Sequence, residues 1–364
     1  MTRVVDAGQP DCERRVVNRD EAADSPFLKA CRREPVPYTP VWLMRQAGRY
    51  QPEYRAIRAK TSFLELCKTP DLAAEVTVMA VDQLGVDAGI IFADILLVLE
   101  PMGLPIAFGG KGEGEGPHIA TPVRTAKDVD RLTGEIDTAA LSFLHEAIRK
   151  FRAARPKVPL IGFGGAPFTL ASYAIEGGGS KNYVETKTMM YRDPGLFRAL
   201  MERLSEATVR HLNAQIEAGA HAVQLFDSWV GCLAPEDYRE HVLPHMKRIV
   251  AGVKKGTPVI SFGTGTVGFL EEIAASGAAV VGVDWRVDLD VAAKRIGDAA
   301  LMGNLDPVAL FAPIPELRAR VKRVLDRVKG RPGHVFNLGH GILPGTPVEH
   351  AKALVEAVHE LSRA

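Results

Sequence analysis

Arg45 and Arg49 stand four residues apart around Gly48, in a turn that follows the apolar run Val41-Trp42-Leu43-Met44. Arginine is always charged and presents a planar fork of N–H donors that fits a carboxylate two bonds at a time. Such a fork at the mouth of a buried strand points to an anionic ligand held against a rigid support. A solvated basic loop is the alternative, but the flanking Trp42 and Met44 put the arginines beside the core. Arg55 and Arg58 follow on what reads as a helix start. Four more polar residues lie just past later apolar runs, or in the helix after one: Asp94, Tyr173, Ser228 and His340. Asp94 supplies an anion, and Tyr173 and His340 can carry protons. Each also has a plainer reading. Asp94 could cap the next helix, Ser228 could be an N-cap, and His340 could bond a neighbouring carbonyl.

The elements that would hold these residues are eight short apolar runs, at 41–44, 88–92, 159–163, 222–226, 258–262, 279–283, 300–304 and 334–338. Each is followed by at least one helical stretch. The runs are apolar throughout instead of alternating, which indicates strands buried on both faces and hence a parallel sheet. Eight strand-then-helix units with no mid-chain break predict an α/β fold, a single (β/α)₈ TIM barrel over residues 25–364. An open doubly wound sheet is the alternative. Chemistry in a barrel sits where strands end at the C-terminal face. That rule gathers Arg45, Arg49, Asp94, Gly164, Gly165, Ser228 and His340 at one opening, with Tyr173 about two turns into the helix after the third strand. Residues 103–124 carry Gly109, Gly110, Gly112, Gly114 and Gly116 and read as a Gly-rich, hairpin-like insertion after strand 2. Residues 1–24 read as a flexible, charged extension.

Composition narrows the function classes. With 364 residues, 46% of them hydrophobic, the chain can build a large core. A net charge of +1 provides no global field for nucleic acid or an anionic membrane, so an anion site must be local. Cys12, Cys31, Cys67 and Cys232 are scattered without a C-x-x-C pair, which argues against a disulfide framework or structural zinc and fits a reducing cytoplasm. No apolar run approaches the roughly 18 residues of a membrane span.

The stretch R-Q-A-G-R-Y-Q-P-E-Y from Arg45 to Tyr54 resembles the N-terminal signature of the uroporphyrinogen decarboxylase family. I-I-F-A-D-I-L-L around Asp94, G-F-G-G-A-P-F-T-L-A-S-Y ending at Tyr173 with the E-G-G-G after it, Q-L-F-D-S around Ser228, and N-L-G-H-G around His340 resemble its later motifs. The similarity runs in family order from about Phe27 to the C-terminus. Gly164, Phe168 and Trp229-Val230 depart from the pattern in the pocket wall and leave the polar set intact. The resemblance implies a cofactor-free, metal-free enzyme of haem biosynthesis. It would decarboxylate the four acetates of uroporphyrinogen to methyls, giving coproporphyrinogen. It further implies that Arg45, Arg49 and Arg58 hold carboxylates together with the Ala47 backbone N–H, and that Asp94 faces the pyrrole N–H groups. Arg45 and Asp94 take the leading catalytic roles; Tyr173, Ser228 and His340 contact the substrate. The general acid stays open among Tyr173, His340 and Arg45, the last a poor donor with a pKa above about 12. A homodimer with facing clefts is also implied.

Three other readings compete. Gly263-Thr264-Gly265-Thr266-Val267-Gly268, followed by Asp284, fits the dinucleotide fingerprint G-x-G-x-x-G. It falls in the fifth of eight units, however, where a tight turn explains the glycines. A zinc methyltransferase on a similar barrel needs an H-x-C motif, and Val230 occupies the histidine position before Cys232. A tetrapyrrole binder without catalysis would keep the arginines and lose Asp94, which is present.

Overall fold

Runs of aliphatic and aromatic residues form the staves of a curled parallel sheet in the structure, a computed structural model that describes residues 20–109 and 116–363. The strands are β1 (Gly89–Ile90), β2 (Ala107–Phe108), β3 (Pro117–His118), β4 (Leu160–Gly165), β5 (Ala222–Asp227), β6 (Val259–Gly263), β7 (Val280–Gly282), β8 (Ala300–Leu305) and β9 (His334–Leu338). The main sheet is seven-stranded, in the order β1-β4-β5-β6-β7-β8-β9, and all its pairings are parallel.

The 41–44 segment completes the ring between the two edges. Val41 bridges Phe336 of β9 in parallel. Phe336 N–H donates to the Pro40 carbonyl at 2.8 Å, and Asp87 N–H, just before β1, donates to the Val41 carbonyl at 2.8 Å. This stave is not the regular strand expected. The N–H groups of Val41, Leu43 and Met44 are taken by the side chains of Asp87 (2.7 Å), Gln46 (3.2 Å) and Asn337 (3.0 Å) in place of ladder carbonyls. The fold is thus a (β/α)₈ barrel whose first stave is fastened largely by side chains.

Two cores follow from strand geometry, because successive side chains point to opposite faces. Trp42, Met44, Ala88, Ile161, Ala222, Ile260, Phe262, Val280, Ala300, Met302 and Val335 form one buried cluster inside the ring. Val41, Leu43, Leu160, Val223, Leu225, Val259, Val281, Leu301, Phe336 and Leu338 belong to the other, shared with the surrounding helices. The helix Pro26–Cys31 adds Phe27, Leu28, Ala30 and Cys31 to the inner cluster and so closes one end of the ring. Its N-cap, Ser25, accepts the Leu28 N–H.

Residues 20–24 depart from the loose extension expected. Ala22 is buried, and the Asp20 carboxylate pairs with Arg152 at 2.7 Å and His221 at 2.8 Å. Residues 1–19 lie outside the described residues. In the 103–124 stretch, β2 and β3 pair antiparallel, with Ala107 opposite His118. The glycine run expected to form the insertion falls largely at 110–115, outside the described residues.

Candidate active site

The arginine turn is held by buried amides. Gln46 accepts the Leu43 N–H and donates to the Ala88 carbonyl at 3.2 Å, tying the turn to the residue before β1. Gln51 accepts the Gly48 N–H at 3.0 Å and donates to Gln83 at 2.8 Å. Tyr50 hydroxyl donates to the Gln46 carbonyl at 2.7 Å. Asn337 reaches across from β9 to the Met44 N–H. This framework holds Arg45 at φ 59°, a left-handed backbone that costs a non-glycine residue on the order of 1 kcal/mol or more. The side chain of Arg45 then crosses Gly341, where a Cβ would overlap its methylenes.

The four arginines of this region do not share one role. Arg45 and Arg49 are exposed. Arg55 turns back on its own chain and donates to the carbonyls of Arg49 (2.9 Å) and Tyr50 (3.0 Å). Arg58 donates to the Thr61 carbonyl and lies 5.8 Å from the Phe63 ring centroid. Its charge acts on the Cys67 thiol, as does that of Asp94. Ala47 is half-buried within the turn.

Asp94 follows β1 and is half-buried. One carboxylate oxygen accepts the Leu96 N–H at 2.8 Å, so the capping alternative also holds. Among the described residues the other oxygen takes no hydrogen bond. Burial pushes the pKa up to about 6, against the lowering effects of the Leu96 N–H and the Arg45 charge. Beside it stands an aromatic wall: Phe63 is 6.0 Å from Phe92 and 4.9 Å from Phe108, ring to ring.

Tyr173 lies in the helix Pro167–Glu176 after β4 and stacks on Trp229 at 3.8 Å between centroids, 29° from parallel. Burial first, then the Asp94 charge, drives its phenol pKa up. Trp229 is positioned from behind. Thr169 hydroxyl donates to the buried Asp227 carboxylate at 2.7 Å and accepts the Trp229 N–H at 3.3 Å. Ser228 is half-buried, and its carbonyl accepts the Thr264 hydroxyl at 2.5 Å; no N-cap bond from its side chain is present among the described residues. It lines a side cavity of about 290 Å³ with Tyr183, Trp229, Thr264, Gly265 and Arg286.

His340 follows β9 and is half-buried. Burial lowers its pKa, and the charges of Arg45 and Arg286 lower it further, so its ring is neutral at pH 7. The G-x-G-x-x-G turn after β6 is explained locally. Gly265, at φ 71°, donates its N–H to the Asp284 carboxylate at 2.6 Å, so the acid of the dinucleotide fingerprint fastens the turn itself.

Part of the expected strand-end set comes together, while no hydrogen bond or ion pair joins Arg49 or Ser228 to it among the described residues. Arg45 acts electrostatically on Asp94, Tyr173 and His340, which come from three other units of the barrel. Gln46, Asn337, Trp229 and Arg286 were not singled out as functional from sequence. Arg286 had a signal, since it stands three residues past the end of an apolar run.

A closed parallel barrel with polar side chains gathered where its strands end defines a (β/α)₈-barrel protein with a candidate site at that face. The chain belongs to the uroporphyrinogen decarboxylase (URO-D) family, whose model matches residues 22–361. It is 57% identical to the uroporphyrinogen decarboxylase of Carboxydothermus hydrogenoformans, over 92% of this chain and 96% of that protein. It is 53% identical to that of Solibacter usitatus, over 92% and 97%. Among solved structures, a methyltransferase from Methanosarcina mazei superposes with a TM-score of 0.76 over 92% of this chain and 98% of that one. At 22% identity, that likeness establishes the fold alone.

Proposed function

We propose that the chain converts uroporphyrinogen to coproporphyrinogen by removing its four acetate carboxyls, using its own side chains and no cofactor. The observation that carries this reading is the meeting of Asp94 with Arg45, Tyr173 and His340 at the barrel mouth in a chain of this family.

The pyrrole ring is itself the electron sink. Protonation of the ring carbon beside the acetate-bearing one makes the ring cationic and iminium-like. The bond to the carboxyl carbon then breaks, its electron pair flows into the ring, and carbon dioxide leaves. A second proton on the exocyclic carbon completes the methyl, and the ring carbon gives back the first proton to restore the pyrrole. Arg45, Arg49, Arg58 and the Ala47 N–H hold substrate carboxylates, and Tyr173, Ser228 and His340 complete the contacts. Asp94 lies against the pyrrole N–H groups, where its charge favours the cationic ring over the neutral ground state. Its free oxygen and its half-buried position support that role. The neutral imidazole of His340 and the weakly acidic phenol of Tyr173 suit polar contacts, which leaves the first proton to a donor positioned by them or to Arg45.

We further infer a homodimer working in the cytoplasm. Val308, Phe311 and Ile314, exposed to 59%, 46% and 39% within a single turn and helix start after β8, support self-association. No helix among the described residues is long and apolar enough to cross a membrane, and Cys31, Cys67 and Cys232 are free thiols.

The reaction is tested by anaerobic turnover of uroporphyrinogen with metal-stripped protein, wild type beside Asp94→Asn, counting porphyrin carboxyls by chromatography. Stepwise loss from eight carboxyls to four, slowed about a hundredfold or more in the variant, is expected. No turnover by the stripped wild type would overturn the reading.

A further inference from the structure

The side cavity beside Ser228 contains none of Arg45, Asp94 and Tyr173 in its lining, yet it presents a guanidinium. Arg286 follows β7 and is half-exposed, but it is fixed in place. One of its N–H groups donates to Asp284 at 2.5 Å, and its guanidinium carbon lies 4.2 Å from the centroid of the Trp285 ring. Asp284 is itself immobilised, being buried and accepting the N–H groups of Gly265 and Arg286 at 2.6 and 2.9 Å. Of the five donors on a guanidinium, only the one on Asp284 has an acceptor among the described residues. The rest belong to a fork whose orientation is already set, so little rotamer freedom is lost when an anion binds.

The surroundings favour a carboxylate there. Lys187 stands behind the cavity with its ammonium on the Cys232 carbonyl at 2.8 Å, adding positive charge. Asp284 offsets part of that charge, but Gly265 and Arg286 already occupy both of its oxygens. A cavity of about 290 Å³ lies at the small end of ligand pockets and suits one side arm instead of a whole macrocycle.

We propose that Arg286 is a substrate-binding residue that clamps a propionate carboxylate of the tetrapyrrole on the wall of the cleft formed by Ser228, Trp229 and Thr264. This rests on the decarboxylase reading above. Asp94 does not line this cavity, so a carboxylate held here is not the one being cleaved, and a propionate, which survives all four rounds, can occupy it throughout. The clamp therefore holds substrate, intermediates and product alike, and it acts on binding with little effect on the chemical step.

The test uses coproporphyrinogen, whose only carboxylates are propionates, kept reduced under anaerobic conditions and titrated by intrinsic tryptophan fluorescence. Wild type, Arg286→Gln and Arg286→Lys are compared, with thermal melts to confirm folding. The expected result is a Kd raised about tenfold or more in Arg286→Gln and partly restored in Arg286→Lys, as loss of a charge-assisted fork implies. In turnover of uroporphyrinogen, KM should rise in parallel while kcat stays within about twofold. An unchanged Kd and KM in a folded Arg286→Gln overturns the clamp. So does a rise confined to the KM of uroporphyrinogen, which would assign the site to an acetate. Should Arg286→Gln not fold, Arg286→Lys decides alone, since an unchanged Kd there removes the case for the fork. Wild type that binds coproporphyrinogen through Arg286 without turning over uroporphyrinogen would sink the decarboxylase reading and leave the clamp standing.

Discussion

Asp94 carries opposing demands. Burial raises its folded pKa to about 6 from an ordinary carboxylate value near 3.8. For a carboxylate raised in this way, the folded state binds the proton more tightly than the unfolded state. Its favourable contribution is therefore full below about pH 4 and is lost as pH rises through about 6. At neutral pH the ionised carboxylate costs the fold about 3 kcal/mol. Asp94→Asn should then melt at a higher temperature than wild type at pH 7.5, with the gap closing by pH 4, even as turnover collapses. Because the anion is the useful form, kcat/KM of wild type should fall below about pH 6, and the residual activity of the variant should lack that limb. A wild-type profile flat down to pH 4.5 would remove the electrostatic role. The identity of Asp94 was legible from its place after an apolar run. Its titration was not, because desolvation is set by Phe92, Cys67 and other neighbours brought in by the fold.

The decisive element is the turn from Arg45 to Gln51. Its arginines were readable as a candidate anion clamp, since their type and spacing are local properties. The amides that aim them were not, because each bonds across the fold: Gln46 to Ala88, Gln51 to Gln83, Asn337 to Met44. Gln46→Ala leaves the buried Leu43 N–H and Ala88 carbonyl without their partner. Urea unfolding should show a loss of about 1–3 kcal/mol. Arg45 would also be released from its left-handed backbone, so kcat/KM should fall by about tenfold or more. A variant with reduced stability and unchanged kcat/KM would show that the turn needs no such support. Arg55, just past the turn, is the counterexample. Its guanidinium is tied to the Arg49 and Tyr50 carbonyls, so it braces the turn instead of facing a ligand.

At the scale of the molecule, the exposed trio Val308, Phe311 and Ile314 is the feature the monomer leaves unexplained. Sedimentation should give a dimer for wild type and a monomer for Val308→Lys with Phe311→Lys, with the monomer still folded by circular dichroism. A monomeric wild type at micromolar concentration would sink the dimer. The parallel sheet was legible from the chain, because a parallel stave buried on both faces must be apolar along its whole length; its eight runs favoured closure over an open doubly wound sheet without deciding it. What periodicity could not indicate is that the first stave would be fastened by Asp87, Gln46 and Asn337 instead of by a ladder. The sequence by itself determined the number and order of the staves, the polar residues at their ends, and the family, since these depend on residue type and spacing. Only the tertiary structure decided which arginines are tied to their own backbone, that burial raises the Asp94 pKa, and that Arg286 faces a cavity beside Ser228. Those outcomes depend on desolvation and hydrogen bonds between residues far apart in the chain, which no local pattern encodes.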